Sequence, residues 1–372
     1  MSSALTDLLA RPIVQAPMAG GVSVPRLAAA VSEAGGLGFL AAGYKTADGM
    51  YQEIKQLRSL TPRPFGVNLF LPQPEYPGAG TGPSGAADAA PPYTAAVDVY
   101  AHQLAGEAVW YETELGDADS GRDDGYEPKL SVLLDNPVPV VSFHFGVPAP
   151  DVLASLRRAG TFTLVTATTV DEAVAVEQAG ADAVIVQGVE AGGHQGTHRD
   201  LPERDGAGIG LLSLLAQVRE AVSVPLVAAG GVMRGSQIAA VLAAGASAAQ
   251  LGTAFLATDE SGAHAVHKEA LTNPLFVRTE LTRAFSGRPA RGLVNRFMRE
   301  HGPYAPAAYP EVHHLTSPLR KAAARAGDAQ GMALWAGQGH RMARALPAGQ
   351  LVEVLAAELD AAWTALSTGG RG

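Results

Sequence analysis

The chain has 372 residues, 47% of them hydrophobic and 17% charged, which is ample apolar material for a large buried core and carries no signature of pervasive disorder. A net charge of −9 repels a phosphate backbone, so a nucleic-acid partner is not expected. There is no cysteine, which excludes disulfides, thiolate metal sites, cysteine nucleophiles and cysteinyl attachment of a cofactor, and fits a reducing cytoplasm.

The N-terminal MSSALTDLLARP lacks a basic region followed by an apolar core, so no signal peptide is expected. The apolar stretch from Leu27 to Tyr44 is interrupted by Ser32 and Glu33 and is rich in glycine, which reads as helix, turn and buried strand, not a membrane span. The expectation is a soluble, cytoplasmic protein with no membrane partner.

In chain order, short β-prone runs fall at Ile13–Ala16, Gly38–Ala41, Phe65–Leu69, Val138–Phe143, Thr163–Ala167, Ala183–Gln187, Leu226–Ala229 and Ala248–Leu251. Helical patterns lie between most of them, at Pro25–Ala34, Ala47–Leu60, Pro150–Ala159, Val170–Ala179, Ile209–Ala221 and Gly235–Ala244. Gly35, Gly160, Gly180 and Gly245 stand at natural helix C-terminal positions. Eight repeats of the βα unit favour a (β/α)8 TIM barrel over an open doubly wound sheet, with a helical subdomain inserted near the C-terminus. A barrel takes about 250 residues, leaving roughly 120 for insertions and extensions.

Two regions break the alternation. From Pro72 to Pro92 the chain is dense in Pro, Gly and Ala, which predicts a long mobile loop, followed by an amphipathic segment Tyr93–Glu114 and an acidic stretch through Asp124. From Thr258 to Gly339, helix-prone pieces separated by Pro303, Pro306, Pro310 and Pro318 predict a helical subdomain over the barrel mouth. The expected division is a barrel core over 1–257 with an insertion at 72–130, the subdomain over 258–339, and a closing helix, Gln350–Leu366, within 340–372.

In such a barrel the residues just after each strand converge on one rim. Gly230 and Gly231 follow the seventh predicted strand; Gln250, Leu251, Gly252 and Thr253 end the eighth and follow it. Glycine turns in these two loops suit a phosphate dianion held by backbone N–H groups. After the first strand, Ala16, Pro17 and Met18 make a rigid apolar wall suited to a planar ring. Asn68 ends the third strand and Gln187 the sixth, each able to donate and accept at a ring edge. Gln187 is followed by a glycine turn and a histidine, Gly192-Gly193-His194, and His144 ends the fourth strand. Either histidine is a candidate base or hydrogen-bond donor. His264, His267, His301, His313, His314 and His340 read as surface or helix-packing residues, and the absence of HExxH or similar spacing predicts no catalytic metal.

Together the runs QAPMAGG, AGGLGFLAAGY, FGVNLF, SFHFG, VQGVEAGGHQG, PLVAAGGV, AAQLGTAFLAT and LTRAFSGRPARGL resemble bacterial nitronate monooxygenases, formerly called 2-nitropropane dioxygenases. The resemblance runs from Pro12 to about Arg291 and weakly on to Leu334–Gly339. It implies an FMN-dependent barrel that uses dioxygen to convert alkyl nitronates to a carbonyl compound and nitrite. By matching motif, Asn68, Gln187, Gly192, Gly231 and the run Gln250, Leu251, Gly252 and Thr253 would hold FMN, with Ala16, Pro17 and Met18 lining the ring. Relatives end the fifth strand with a histidine, where this chain has Val165 or Thr166, so His144 or His194 would take over. With a base missing, the nitronate should be used better than the neutral nitroalkane. The rivals are an enoyl-thioester reductase of the same barrel type using NAD(P)H and a non-catalytic flavin-binding protein; a homodimer is left open.

Overall fold

The computed structural model describes residues 5–73, 93–201, 203 and 206–368. Eleven strands occur among them: β1 (Ile13–Gln15), β2 (Gly38–Ala41), β3 (Phe65–Phe70), β4 (Val140–His144), β5 (Phe162–Ala167), β6 (Ala183–Gln187), β7 (Gly193–His194), β8 (Leu226–Ala229), β9 (Ala248–Leu251), β10 (Thr279–Thr282) and β11 (Ala290–Leu293). Eight form one parallel sheet in the order β1-β9-β8-β6-β5-β4-β3-β2. Its two ends meet: Val14 and Leu37 bridge in parallel, and Gln15 N–H donates to Leu37 O while Leu37 N–H donates to Ile13 O, each at 2.9 Å. The sheet is thereby a closed (β/α)8 barrel.

Local chemistry explains why the intervening segments are helical. Thr46 and Thr169 accept from Gly49 N and Glu172 N and so cap the helices Ala47–Leu60 and Val170–Ala179, while Pro25 opens Pro25–Glu33 and Gly180, at φ +92°, closes Val170–Ala179. The unit between β3 and β4 is completed by a helix absent from the sequence expectation, Tyr126–Asp135, whose start is Gly125 at φ +62°. The amphipathic segment before it divides into Tyr93–Gln103 and Ala105–Trp110. The stretch expected to form a mobile loop lies, over 74–92, outside the described residues. The closing helix, Ala348–Ser367, packs against Pro25–Glu33 and Gly235–Ala243. No helix among the described residues is long and apolar enough to cross a membrane.

The region over 258–339 contains the helices Ala265–Ala270, Arg296–His301 and Glu311–Arg325, and also strands that the all-helical expectation lacked. There β10 and β11 pair antiparallel, and β11 pairs in turn with β7, in the loop after β6. That third partner is nearly a hundred residues away in sequence, so no local pattern announces it.

Two apolar layers result. Val14, Leu37, Phe39, Val140, Phe162, Leu164, Ile185 and Val227 fill the barrel interior, plugged from below by Leu5, and a larger cluster fills the space between strands and helices. Phe39 fits because Gly66, beside it on β3, has no side chain: a Cβ there would lie 2.2 Å from the ring. At Gly38 a Cβ would fall 2.1 Å from Ala28 O, so helix Pro25–Glu33 could not sit so close to β2. Gly38→Ala is therefore expected to destabilise the fold by about 1–3 kcal/mol, read as a lower urea midpoint at unchanged slope; an unchanged midpoint would mean that the helix moves aside freely.

Candidate active site

The C-terminal ends of the barrel strands open into one cavity of about 950 Å³, large enough for a mononucleotide cofactor and a small substrate. Every residue singled out from the sequence lines it except Leu251. Leu251 is fully buried in the layer between strands and helices, because alternation along β9 turns Gln250 inward and Leu251 outward. Asn68 is not the last residue of its strand, since β3 runs on to Phe70; the Asn68 amide donates to Ser142 O and Oγ at 3.2 and 2.9 Å.

Behind β8 and β9 lies a backbone cradle. Gly230 and Gly231 have φ of +127° and +68°, a conformation that favours glycine. Among the described residues, none accepts a hydrogen bond from the N–H of Gly230, Gly231 or Gly252. The buried Oε1 of Gln250 is also without a partner. Unsatisfied buried donors and acceptors are costly unless a ligand completes them, so the donor set fits an anionic, multiply hydrogen-bonding group such as the phosphate end and ring edge of a flavin mononucleotide. Gly192 serves packing: its Cβ would lie 2.5 Å from Gly337 N, and Gly337 N–H donates to Thr253 Oγ1 at 2.9 Å. Glu190, in the same loop, accepts Leu211 N–H on both oxygens at 3.0 Å and so anchors helix Leu211–Ala221.

The two rim histidines are held differently. His144 Nδ1 lies 3.2 Å from Thr166 Oγ1, and Gly196 passes so close that a Cβ would sit 2.6 Å from its Cε1. His194 Nε2 lies 2.9 Å from Ser286 Oγ. Because Ser286 Oγ donates to Arg288 O at 3.2 Å, it accepts from His194 Nε2–H, which leaves His194 Nδ1 as an acceptor. Gln187 ties the loop down, donating to His194 O at 3.1 Å and accepting Gly196 N–H at 2.7 Å. Burial, then the Arg288 charge, lowers His144 to about 3 and takes His194 well below the ordinary histidine value, so both rings are neutral near pH 7.

The nitronate monooxygenase family model matches residues 2–358. The chain is 42% identical to the nitronate monooxygenase of Pseudomonas aeruginosa, over 96% of this chain and 99% of that one. It belongs to the nitronate monooxygenase family. Among solved structures it is 79% identical to a nitroalkane oxidase from Streptomyces ansochromogenes, with a TM-score of 0.92 over 98% of this chain and 100% of that one. FabK from Thermotoga maritima is more distant, 28% identical with a TM-score of 0.73 over 98% of each chain. As a member of the family, the chain is a flavin-dependent oxidoreductase.

Within this nitronate monooxygenase fold, Val165 packs outward into the barrel–helix layer, while Thr166 faces the cavity and holds His144. Several cavity residues were not evident from sequence. His313, read there as a surface or helix-packing residue, lines the cavity and stacks on Tyr44 at 3.9 Å and 10°. Tyr44 Oη lies 3.2 Å from Tyr309 Oη, and Tyr309 faces His194 at 5.6 Å. His264, His267 and His314 also reach the cavity wall; His340 is buried on Leu271 O, and His301 pairs with Glu107. Glu107, Glu300 and His301 are close enough together to suggest metal ligands, but Arg296 already bonds both carboxylates.

The neutral histidines give a stability signature. His144 in the folded chain takes up its proton near pH 3, against about 6.5 for an ordinary histidine, so between those limits the unfolded chain binds more protons and folding weakens as pH falls. His144→Asn is expected to lose less stability than the unsubstituted chain between pH 7 and about 5, measured as urea midpoints; other titrations are common to both chains and cancel. Parallel pH profiles would show that His144 is not held neutral.

Proposed function

We propose that this chain is an FMN-dependent nitronate monooxygenase, oxidising alkyl nitronates with dioxygen to a carbonyl compound and nitrite, in the cytoplasm. The observation that carries the cofactor is the cradle of unacceptored N–H groups after β8 and β9, beside the partnerless Gln250 Oε1. Gly230, Gly231, Gly252 and Thr253 would hold the phosphate, Asn68, Gln187 and Gln250 the polar ring edge, and Ala16, Pro17, Met18, Gly192 and Gly193 the ring faces. What FMN supplies when bound is electron transfer from the nitronate toward dioxygen.

The protein contributes the rings of Phe70, Phe145, Tyr309 and Trp335, which pack around the two rim histidines. A nitronate has already lost its α-proton, so neutral rings that orient it are sufficient. A second reading, turnover of the neutral nitroalkane, is favoured by the name of the Streptomyces relative and by His194 Nδ1, whose lone pair is available to take a proton.

Under anaerobic conditions, ethyl nitronate is expected to bleach the flavin absorbance. NADH and NADPH are expected to leave it intact, and bleaching by either would move the chain to the reductase reading. In air at neutral pH, kcat/KM for the nitronate is expected to exceed that for nitroethane by roughly tenfold or more. Equal values would establish proton abstraction and the second reading. Gly231→Val, which forces a branched side chain into φ +68° with its Cβ 3.1 Å from Glu190 Cβ, is expected to lower the flavin-to-protein ratio of purified enzyme; full occupancy would displace the phosphate from this turn.

A further inference from the structure

Helix Glu311–Arg325 crosses the cavity mouth and carries Arg320 into its wall. Other enclosed arginines of this region are engaged elsewhere: Arg283 forms two bonds to the Asp200 carboxylate at 2.7 and 2.8 Å, Arg296 is paired with Glu107, and Arg288 is held by Gln73 and Thr197 and lies over the Phe145 ring at 4.1 Å. Arg320 keeps one edge uncommitted. Its Nε donates to Thr316 Oγ1 at 3.2 Å, and one Nη2 group reaches His313 O at 2.9 Å and His313 Nδ1 at 3.3 Å. Among the described residues no carboxylate pairs with it, and Nη1 donates to none of them. Burial lowers its pKa to about 10, with only the Tyr44 and Tyr309 hydroxyls opposing, as befits a cation enclosed without a counter-charge.

Its direction is fixed by its neighbours. His313 is clamped between Arg320 and the Tyr44 ring, and Tyr44 meets Tyr309, which packs on Phe145 at 5.4 Å and on His194 at 5.6 Å. That is the side of the mouth built from the loops after β2 and β4, whereas the glycine cradle follows β8 and β9. Arg320 therefore serves the chamber around the histidines and not the phosphate turn.

We propose that Arg320 is the specificity-determining residue that recognises the substrate's anionic nitronate group, its free guanidinium edge donating to the two nitrogen-bound oxygens. This rests on the nitronate-oxidising reading above. A planar guanidinium matches a planar two-oxygen anion in geometry as well as charge, and an anion entering the chamber supplies the missing counter-charge. A neutral nitroalkane gains much less from the same contact.

The test uses the FMN-loaded enzyme and three variants, R320Q, R320K and R325Q, the last removing an exposed charge on the same helix away from the cavity lining. Ethyl nitronate and nitroethane kinetics are measured, with nitrate as an inert planar anion titrated through the flavin absorbance. In R320Q the nitronate KM and the nitrate Kd are expected to rise roughly tenfold or more, with kcat and the nitroethane KM little changed. R320K is expected to recover part of the loss, and R325Q to stay within about twofold of the unsubstituted enzyme. If R320Q does not fold, R320K still decides, since losing the planar fork should raise the nitronate KM by about threefold. A nitronate KM unchanged in R320Q or R320K overturns the proposal, and so does loss of flavin from R320Q, which would assign the arginine to the cofactor. If the unsubstituted enzyme oxidises no nitronate, the functional reading itself has failed, a result separable from any effect of Arg320.

Discussion

Two backbone turns, after β8 and β9, leave N–H groups aimed at no described acceptor, and the rest of the mouth is arranged around them. Unsatisfied amides facing the cavity are unfavourable in the isolated protein and would become favourable once a dianion completed their hydrogen bonds. Gly230 and Gly231 permit the turn through their positive φ values, and Glu190 fixes the loop beneath by anchoring the next helix. With a flavin phosphate held there, Ala16, Pro17 and Met18 would line the ring and His144 and His194 would face it.

The charge pattern inside the chamber is one-sided. Both rim histidines and His313 are kept neutral by burial and by nearby arginines, while Arg320 keeps its charge without a carboxylate beside it. The surface as a whole is acidic, with a net charge of −9, so attraction for an anion has to arise locally. Neutral imidazoles orient an anion without competing for its charge, and an enclosed guanidinium attracts it in a medium of low dielectric constant.

The barrel was legible because its signals are local. Short apolar strands, proline and threonine at helix starts and glycine at helix ends lie within a few residues of one another, and all eight barrel strands fall within two residues of their expected limits. Rim residues followed from the rule that the site lies at the strand ends, which brought His144, His194, Asn68, Gln187 and the glycine turns to one cavity. Leu251 departed because a motif match ignores the side alternation along a strand. Arg320, His313, Tyr44 and Tyr309 were illegible for another reason. They meet only because helix Glu311–Arg325 folds back over the mouth, and nothing near them in sequence marks that contact. The β7–β11 pairing escaped notice on the same ground.

The most direct measurement is a crystal structure of the purified enzyme grown with FMN. The expected result is phosphate oxygens within hydrogen-bond distance of the Gly230, Gly231 and Gly252 amides, with the ring beneath His144 and His194. Phosphate density anywhere else, with those three amides turned toward protein acceptors, would contradict it.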